Sequence, residues 1–261
     1  MAGYGHWFGW GDAQSLLEDL RERRVNYSPD ELDEGTWHHD TRRTDLPPER
    51  PGPPEAGGSW EIARLLIENY EAADPAIIRG VYRADAPLCG RDMLLEGRFH
   101  GLHFHMGVRV TDVVDETRDD GSRVWGWSYE TLEGHLERGR MTYQVAKHPD
   151  TGCVEFVTHG LSQPAPTLGP VVGLGWRLFG RRTQLRFYRG CGQRMARKVA
   201  DVREGRAPLP SPVVVDGLVH APADARPHWR DRLAKRQEHP GQRQLSGPGR
   251  PSAPTDPPRS P

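Results

Sequence analysis

Residues 123–147 read RVWGWSYETLEGHLERGRMTYQVAK. Two runs with a period of two meet across one turn. Trp125, Trp127, Tyr129 and Thr131 alternate with Val124, Gly126, Ser128 and Glu130. Met141, Tyr143 and Val145 alternate with Arg140, Thr142 and Gln144. Successive side chains of a strand point to opposite faces, so each run is a strand with an apolar, aromatic face and a polar or small one. Glu133-Gly134 lies between them, and glycine supplies backbone angles that a tight turn needs. The stretch reads as a hairpin of an antiparallel sheet.

The same reading extends on both sides. Six apolar runs of strand length occupy 77–82, 93–99, 102–114, 123–131, 140–147 and 153–161. Asp85-Ala-Pro87, Gly101, Asp119-Asp-Gly121 and Pro149-Asp-Thr-Gly152 punctuate them. Connections this short suit hairpins and cannot hold crossover helices, so the strands run antiparallel. Upstream, Ser59 is placed as N-cap of a helix over 60–70 that Asp74-Pro75 ends. Asp12 caps a shorter helix over 13–24 with Leu16, Leu17 and Leu20 on one face. Downstream, Val171, Leu174, Leu178, Leu185, Tyr188, Met195 and Val199 recur at helical spacing, with arginines over the remaining surface. Gly180 is the expected break in that helix, and the helix is the expected cover of the apolar sheet face. The fold class expected is α+β and helix-grip-like: a curved antiparallel sheet of about six strands covered by a long C-terminal helix.

Composition sets the expected organisation. Of 261 residues 24 are proline, and twelve of these fall at Pro208 or later. Residues 1–58 are expected as an arm, a short helix and an extended proline-rich connection; 59–202 as one domain; 203–261 as a disordered tail. A domain of that length buries about 70% of its unfolded surface without disulfide or metal. The glycine-spaced aromatics GYGHWFGWG at 3–11 read as an arm docked on the domain. The formal charge of −1 excludes a uniformly basic nucleic-acid coat. No run reaches the ~18 apolar residues of a membrane span, and no basic-then-apolar leader opens the chain. Cys89, Cys153 and Cys191 are odd in number and far apart. A reduced, cytoplasmic protein is expected.

The segment Tyr129-Glu-Thr-Leu-Glu-Gly-His135, followed by Arg138-Gly-Arg-Met-Thr-Tyr-Gln-Val145, resembles the YxTLxGH hairpin of the DUF1990 family. Val110-Thr-Asp-Val-Val-Asp-Glu116 before it and Leu161-Ser-Gln-Pro164 after it match that family's order. The resemblance covers roughly 25–202. It implies a helix-grip fold similar to START and pollen-allergen proteins, in which a cavity between sheet and helix holds an apolar ligand. The same architecture also hosts cyclases and hydrolases. One departure matters: the family opens the strand after the turn with Gly-Glu, whereas here Arg140 follows Gly139. The role of that acid is therefore not carried over.

Three functional readings follow. The preferred one is a small apolar or amphipathic ligand bound by Trp125, Trp127, Tyr129, His135 and Tyr143, with no cofactor. The second is an acid–base enzyme of hydrolase or cyclase type, with Tyr129, Glu130 and His135 at the cavity mouth. Histidine changes charge near neutrality and can move a proton there. The third is an interaction module using the aromatic arm and the arginine-rich helix. That helix carries no interleaved aromatics or reader motif, so nucleic acid is not an expected partner. His103 and His105 share a strand face, but with no carboxylate or thiolate at ligand spacing, and no metal site is expected. The ligand's identity and the oligomeric state stay open.

Overall fold

In the computed structural model the hairpin of residues 123–147 lies inside a nine-stranded antiparallel sheet. The structure describes residues 13–32, 37–99, 102–165 and 181–225, and the backbone alone at 98, 99, 102 and 103. The aromatic arm at 3–11, the Asp12 cap, the stripe positions at 171–180 with the break at Gly180, and everything after Ala225 lie outside the described residues. Among the described residues no helix is long and apolar enough to cross a membrane.

In chain order the elements are α1 (Ala13–Leu20), β1 (His38–Leu46), α2 (Ser59–Glu68), β2 (Ile78–Arg83), β3 (Asp92–Phe99), β4 (Leu102–Thr117), β5 (Arg123–Thr131), β6 (Glu137–Lys147), β7 (Val154–Pro164), α3 (Arg181–Arg203), β8 (Val213–Val215) and β9 (Leu218–Ala221). The sheet order is β1-β7-β6-β5-β4-β3-β2-β9-β8. The six expected strands are β2 to β7, joined as successive hairpins. One irregularity interrupts them: the β4–β5 register shifts between Val110 and Asp112. This bulge changes parity, so Val108 and Val110 and then Val113 join the same core.

Three strands correct the expected count of about six. β1 lies in what reads as an extended connection, and pairs with β7 along its whole length. Its sequence, HHDTRRTDL, has no apolar alternation because it is an edge strand, mostly solvated; charges on an edge discourage pairing with other chains. β8 and β9 lie in what reads as a disordered tail. Asp216 and Gly217, both at positive φ (51° and 78°), turn this hairpin, and β9 pairs with β2. The compact unit therefore reaches Ala225 instead of ending at Val202, and the segment before 59 contributes a strand to it.

Helices cover both faces. α2 and α3 lie on the face that carries Trp127, Tyr143 and Phe156, and together with it make the main core. On the other face, expected to be polar or small, Leu17 and Leu20 of α1 pack on Val81, Leu94, Leu132 and Leu218. The expected long last helix is corrected to 23 residues. Its inward stripe is Phe187, Tyr188, Cys191, Met195 and Val199, while Leu185, assigned to the stripe from sequence, is 41% exposed. α2 is capped from a distance. Ser59 does not accept a helix N–H; its hydroxyl donates to the Pro47 carbonyl (2.6 Å), and the Glu49 carboxylate accepts from the Trp60 N–H (2.8 Å).

Candidate functional site

Strand alternation and register place Trp127, Tyr129 and Tyr143 together. Trp127 pairs across the ladder with Tyr143, and Tyr129 with Met141. Their rings form one cluster, with centroids 5.3 Å apart for Trp127–Tyr143, 6.1 Å for Trp127–Tyr129 and 6.2 Å for Tyr129–Tyr143. Phe156 of β7 stacks on Tyr143 at 6.5 Å. Trp127 is anchored from above, its Nε1–H donating to the Ile67 carbonyl of α2 (3.0 Å).

Tyr70, which sequence reasoning missed, completes the cluster. It follows α2 in the left-handed region at φ 58°. The Tyr70 N–H donates to the Ile67 carbonyl (3.0 Å) and the Glu71 N–H to the Leu66 carbonyl (2.8 Å). This is a Schellman ending, in which glycine is favoured at the left-handed position because a side chain is strained there. Tyrosine instead drops its ring into the core, edge-on to Tyr143 at 5.9 Å and tilted to Trp127 at 6.2 Å. Gly80 of β2 makes room: a Cβ there would stand 2.8 Å from the Tyr70 ring. Among the described residues, the buried hydroxyls of Tyr70 and Tyr143 form no hydrogen bond of ordinary length and angle; they approach each other and the Tyr129 hydroxyl without reaching that geometry. They and Tyr129 are close enough to perturb one another's ionisation, and burial pushes the pKa of all three up. All three stay neutral donors.

Beside the tyrosines, the first turns of α3 tie three strands together. Asp40 of β1 accepts from both terminal nitrogens of Arg181, at 2.6 Å for Nη2. Arg181 also donates to Gln184 Oε1 (2.9 Å), and Gln184 Nε2 donates to Ser162 Oγ of β7 (2.8 Å) and to Glu137 Oε1 of β6 (3.2 Å). Glu137 keeps some exposure as a residue, yet desolvation pushes its carboxyl up to about 8, with Arg181 opposing and Asp40 adding to the rise. Tyr188, held protonated by burial and then by Glu137, approaches β7 where Gly160 has no Cβ; one there would sit 2.1 Å from the hydroxyl. The Cys191 thiol is sealed in the same core, and burial raises its pKa.

The remaining candidates lie elsewhere. Trp125 shares the face of Trp127 but sits beneath α2, with the Arg64 guanidinium over its ring (5.5 Å). Glu130 is on the opposite face, where its carboxylate accepts from Tyr27 (2.6 Å). His135 is not at a solvated rim. It is 5% exposed, its Nδ1 accepts from the Glu137 N–H (2.9 Å), and burial lowers its pKa to about 4. Tyr129, Glu130 and His135 are therefore not brought together as one acid–base group. His105 Nε2 lies 3.9 Å from Glu96 Oε1 and His159 Nδ1 2.7 Å from Thr41 Oγ1, while the His103 side chain lies outside the described residues. Among the described residues no three His, Cys, Asp or Glu side chains converge as for a metal. A shallow cleft of about 280 Å³ opens on the other face beside Leu17, Arg21, Arg83, Asp85 and Asp92. Its Arg83–Asp85 pair and the Asp92–Arg109 pair neutralise most of its charge.

The class so defined is an α+β protein: a large antiparallel sheet, two helices on one face, and a buried tyrosine cluster between them. The chain belongs to the family described as a domain of unknown function, DUF1990, which matches residues 24–194. Among solved structures it is similar to hypothetical protein jhp0584 from Helicobacter pylori (9% identity, TM-score 0.43, covering 67% of this chain and 95% of that one). It is also similar to Ara h 8.0201 (10% identity, TM-score 0.35, 63% and 99%). A third is the ginseng major latex-like protein 151 from Panax ginseng (13% identity, TM-score 0.36, 62% and 97%). Among curated proteins none matches.

Proposed function

We propose that the protein binds a small amphipathic molecule between the sheet and α3, without chemical turnover. One observation carries this reading: two buried tyrosine hydroxyls, on Tyr70 and Tyr143, form no hydrogen bond of ordinary length and angle among the described residues, although they lie close to each other and to the Tyr129 hydroxyl. A buried hydroxyl left without a partner costs about 1–3 kcal/mol. A bound polar atom would remove that cost. Both hydroxyls are neutral donors, and the nearby cation, Arg181, is already held by Asp40. The ligand's polar end is therefore a carbonyl, ether or hydroxyl oxygen and not an anion, with its apolar part against Trp127 and Tyr129. The Tyr70 backbone supports the same reading, because a bulky residue held at positive φ marks a position kept for its side chain.

Native mass spectrometry of freshly purified full-length chain tests this. A co-purified mass lost in Tyr143→Phe and retained in Glu130→Gln is the expected result. A wild-type chain that carries no small molecule, and whose tryptophan fluorescence is unmoved by long-chain alcohols, would overturn it.

A further inference from the structure

α3 divides its cations in two. Residues 181–200 hold seven basic side chains and not one acid. Three are engaged with acids of other elements: Arg181 on Asp40, Arg194 on Asp224, and Lys198 on Glu71. The other four, Arg182, Arg186, Arg189 and Arg197, are exposed and form no ion pair among the described residues. Steps of four, three and eight residues keep them on one side of the helix, and Gln193, also exposed, fills the gap. At 1.5 Å per residue the row is about 22 Å long. Leu185 lies within it, 41% exposed. Arg42 of β1, also exposed, adds a fifth guanidinium with no ion pair among the described residues. It stands between Asp40, which binds Arg181, and Thr44, which faces Gly192, on the strand face turned to α3.

We infer that this face docks on an anionic lipid surface. The chain as a whole is nearly neutral, so the attraction is local to this row. Every free cation in it is arginine, whose planar fork matches phosphate oxygens. Leu185 favours a bilayer over a nucleic acid: an apolar side chain among arginines can enter the headgroup layer, whereas a phosphodiester backbone offers it nothing. The row's exposed positions include no aromatic ring on which bases could stack. The inference stands independently of the ligand reading above.

Co-sedimentation of the full chain with two kinds of vesicle tests it. Binding is expected to vesicles of phosphatidylcholine mixed with phosphatidylserine, not to phosphatidylcholine alone, and to weaken as salt is raised. Arg186→Gln and Arg189→Gln should each weaken binding about fivefold. Arg43→Gln should leave it unchanged, since Arg43 is on the other strand face and is paired with Glu155 (3.0 Å). Leu185→Asn should weaken vesicle binding and leave unaltered any affinity for a labelled oligonucleotide. Equal binding to both vesicles, no binding to either, insensitivity to the arginine substitutions, or preference for the oligonucleotide over phosphatidylserine vesicles would each overturn the inference. The salt titration of the unmodified chain reads the same property without any substitution.

Discussion

Tyr70 meets Tyr143 edge-on, ring planes at 89° and centroids 5.9 Å apart, and among the described residues neither hydroxyl makes a hydrogen bond of ordinary length and angle. Ring packing and hydroxyl satisfaction pull in opposite directions here. Tyr143→Phe keeps the rings and removes one unsatisfied group. It should raise the stability of the unliganded chain by about 1 kcal/mol, measured by urea denaturation, while weakening ligand retention. A destabilised variant would mean that the hydroxyl is bonded in solution, and the ligand reading would lose its main support.

Lys147 and Glu49 form a second buried relationship, of a different kind. Their side chains are 1% and 0% exposed and Nζ lies 2.6 Å from Oε2. Nζ also donates to the Pro53 carbonyl (2.8 Å), and the carboxylate accepts from the Trp60 and Glu55 N–H groups (2.8 and 2.9 Å). The pair pins the proline-rich segment onto the end of β6 and caps α2. Lys147→Met leaves an uncompensated buried carboxylate and should cost about 3–5 kcal/mol. The double variant Lys147→Met, Glu49→Gln should cost less than the two single losses added, which a double-mutant cycle measures.

The register of α3 is tested by two substitutions to aspartate. Met195 is fully buried, so Met195→Asp should cost several kcal/mol, because a charge is forced out of water. Leu185→Asp should stay within about 0.5 kcal/mol, as for other surface changes. Thermal melts of both variants decide the helix face.

The strands and the aromatic face were legible because period two is a local signal. Trp127, Tyr129 and Tyr143 converge as their alternation implies. Tyr70 was not legible, since its role depends on a left-handed helix ending and on the missing Cβ of Gly80 across the core. On α3 Tyr188, Met195 and Val199 face inward as their spacing implies, and among the described stripe positions only Leu185 departs, because it suits a stripe begun at Val171. The observed face adds Phe187 and Cys191, and Gly192, whose missing Cβ lets the helix approach Thr44 of β1. β1 escaped notice because an edge strand needs no apolar alternation. The β8–β9 hairpin did leave a signal, Val215-Asp-Gly-Leu218, which the density of prolines around it obscured.

That hairpin makes the effect of truncation specific. Asp224 is held by Arg194 (2.6 and 3.0 Å), the Ala223 N–H donates to Glu71 (2.7 Å), and β9 extends the ladder from β2. A chain ending at Arg206 loses all of these and leaves Glu71, 1% exposed, with Lys198 alone. Its melting temperature should fall by several degrees, whereas a chain ending at Ala225 keeps every one of these contacts. Equal melting of the two truncated chains would show that the hairpin does not hold to the sheet in solution.

The pH dependence of stability follows from two neighbours whose shifts have opposite signs. Burial raises Glu137 from 4.5 to about 8, so between these values the folded chain holds a proton that the unfolded chain has released. Stability therefore falls as pH rises through that window. Burial lowers His135 from 6.5 to about 4, so between these values the unfolded chain holds the extra proton and stability rises with pH. From pH 4.5 to 6.5 the two contributions oppose each other. From 6.5 to 8 Glu137 acts without that opposition, and stability should decline across this interval. Glu137→Gln has no proton to release and should flatten the decline. His135→Gln should leave it in place while removing the gain between 4 and 6.5. Urea denaturation of the three chains at a series of pH values reads this directly. If Glu137→Gln leaves the slope between 6.5 and 8 unchanged, the Glu137 carboxylate beside Gln184 is ionised in the folded protein, and it is not the protonatable group bordering the tyrosine cluster.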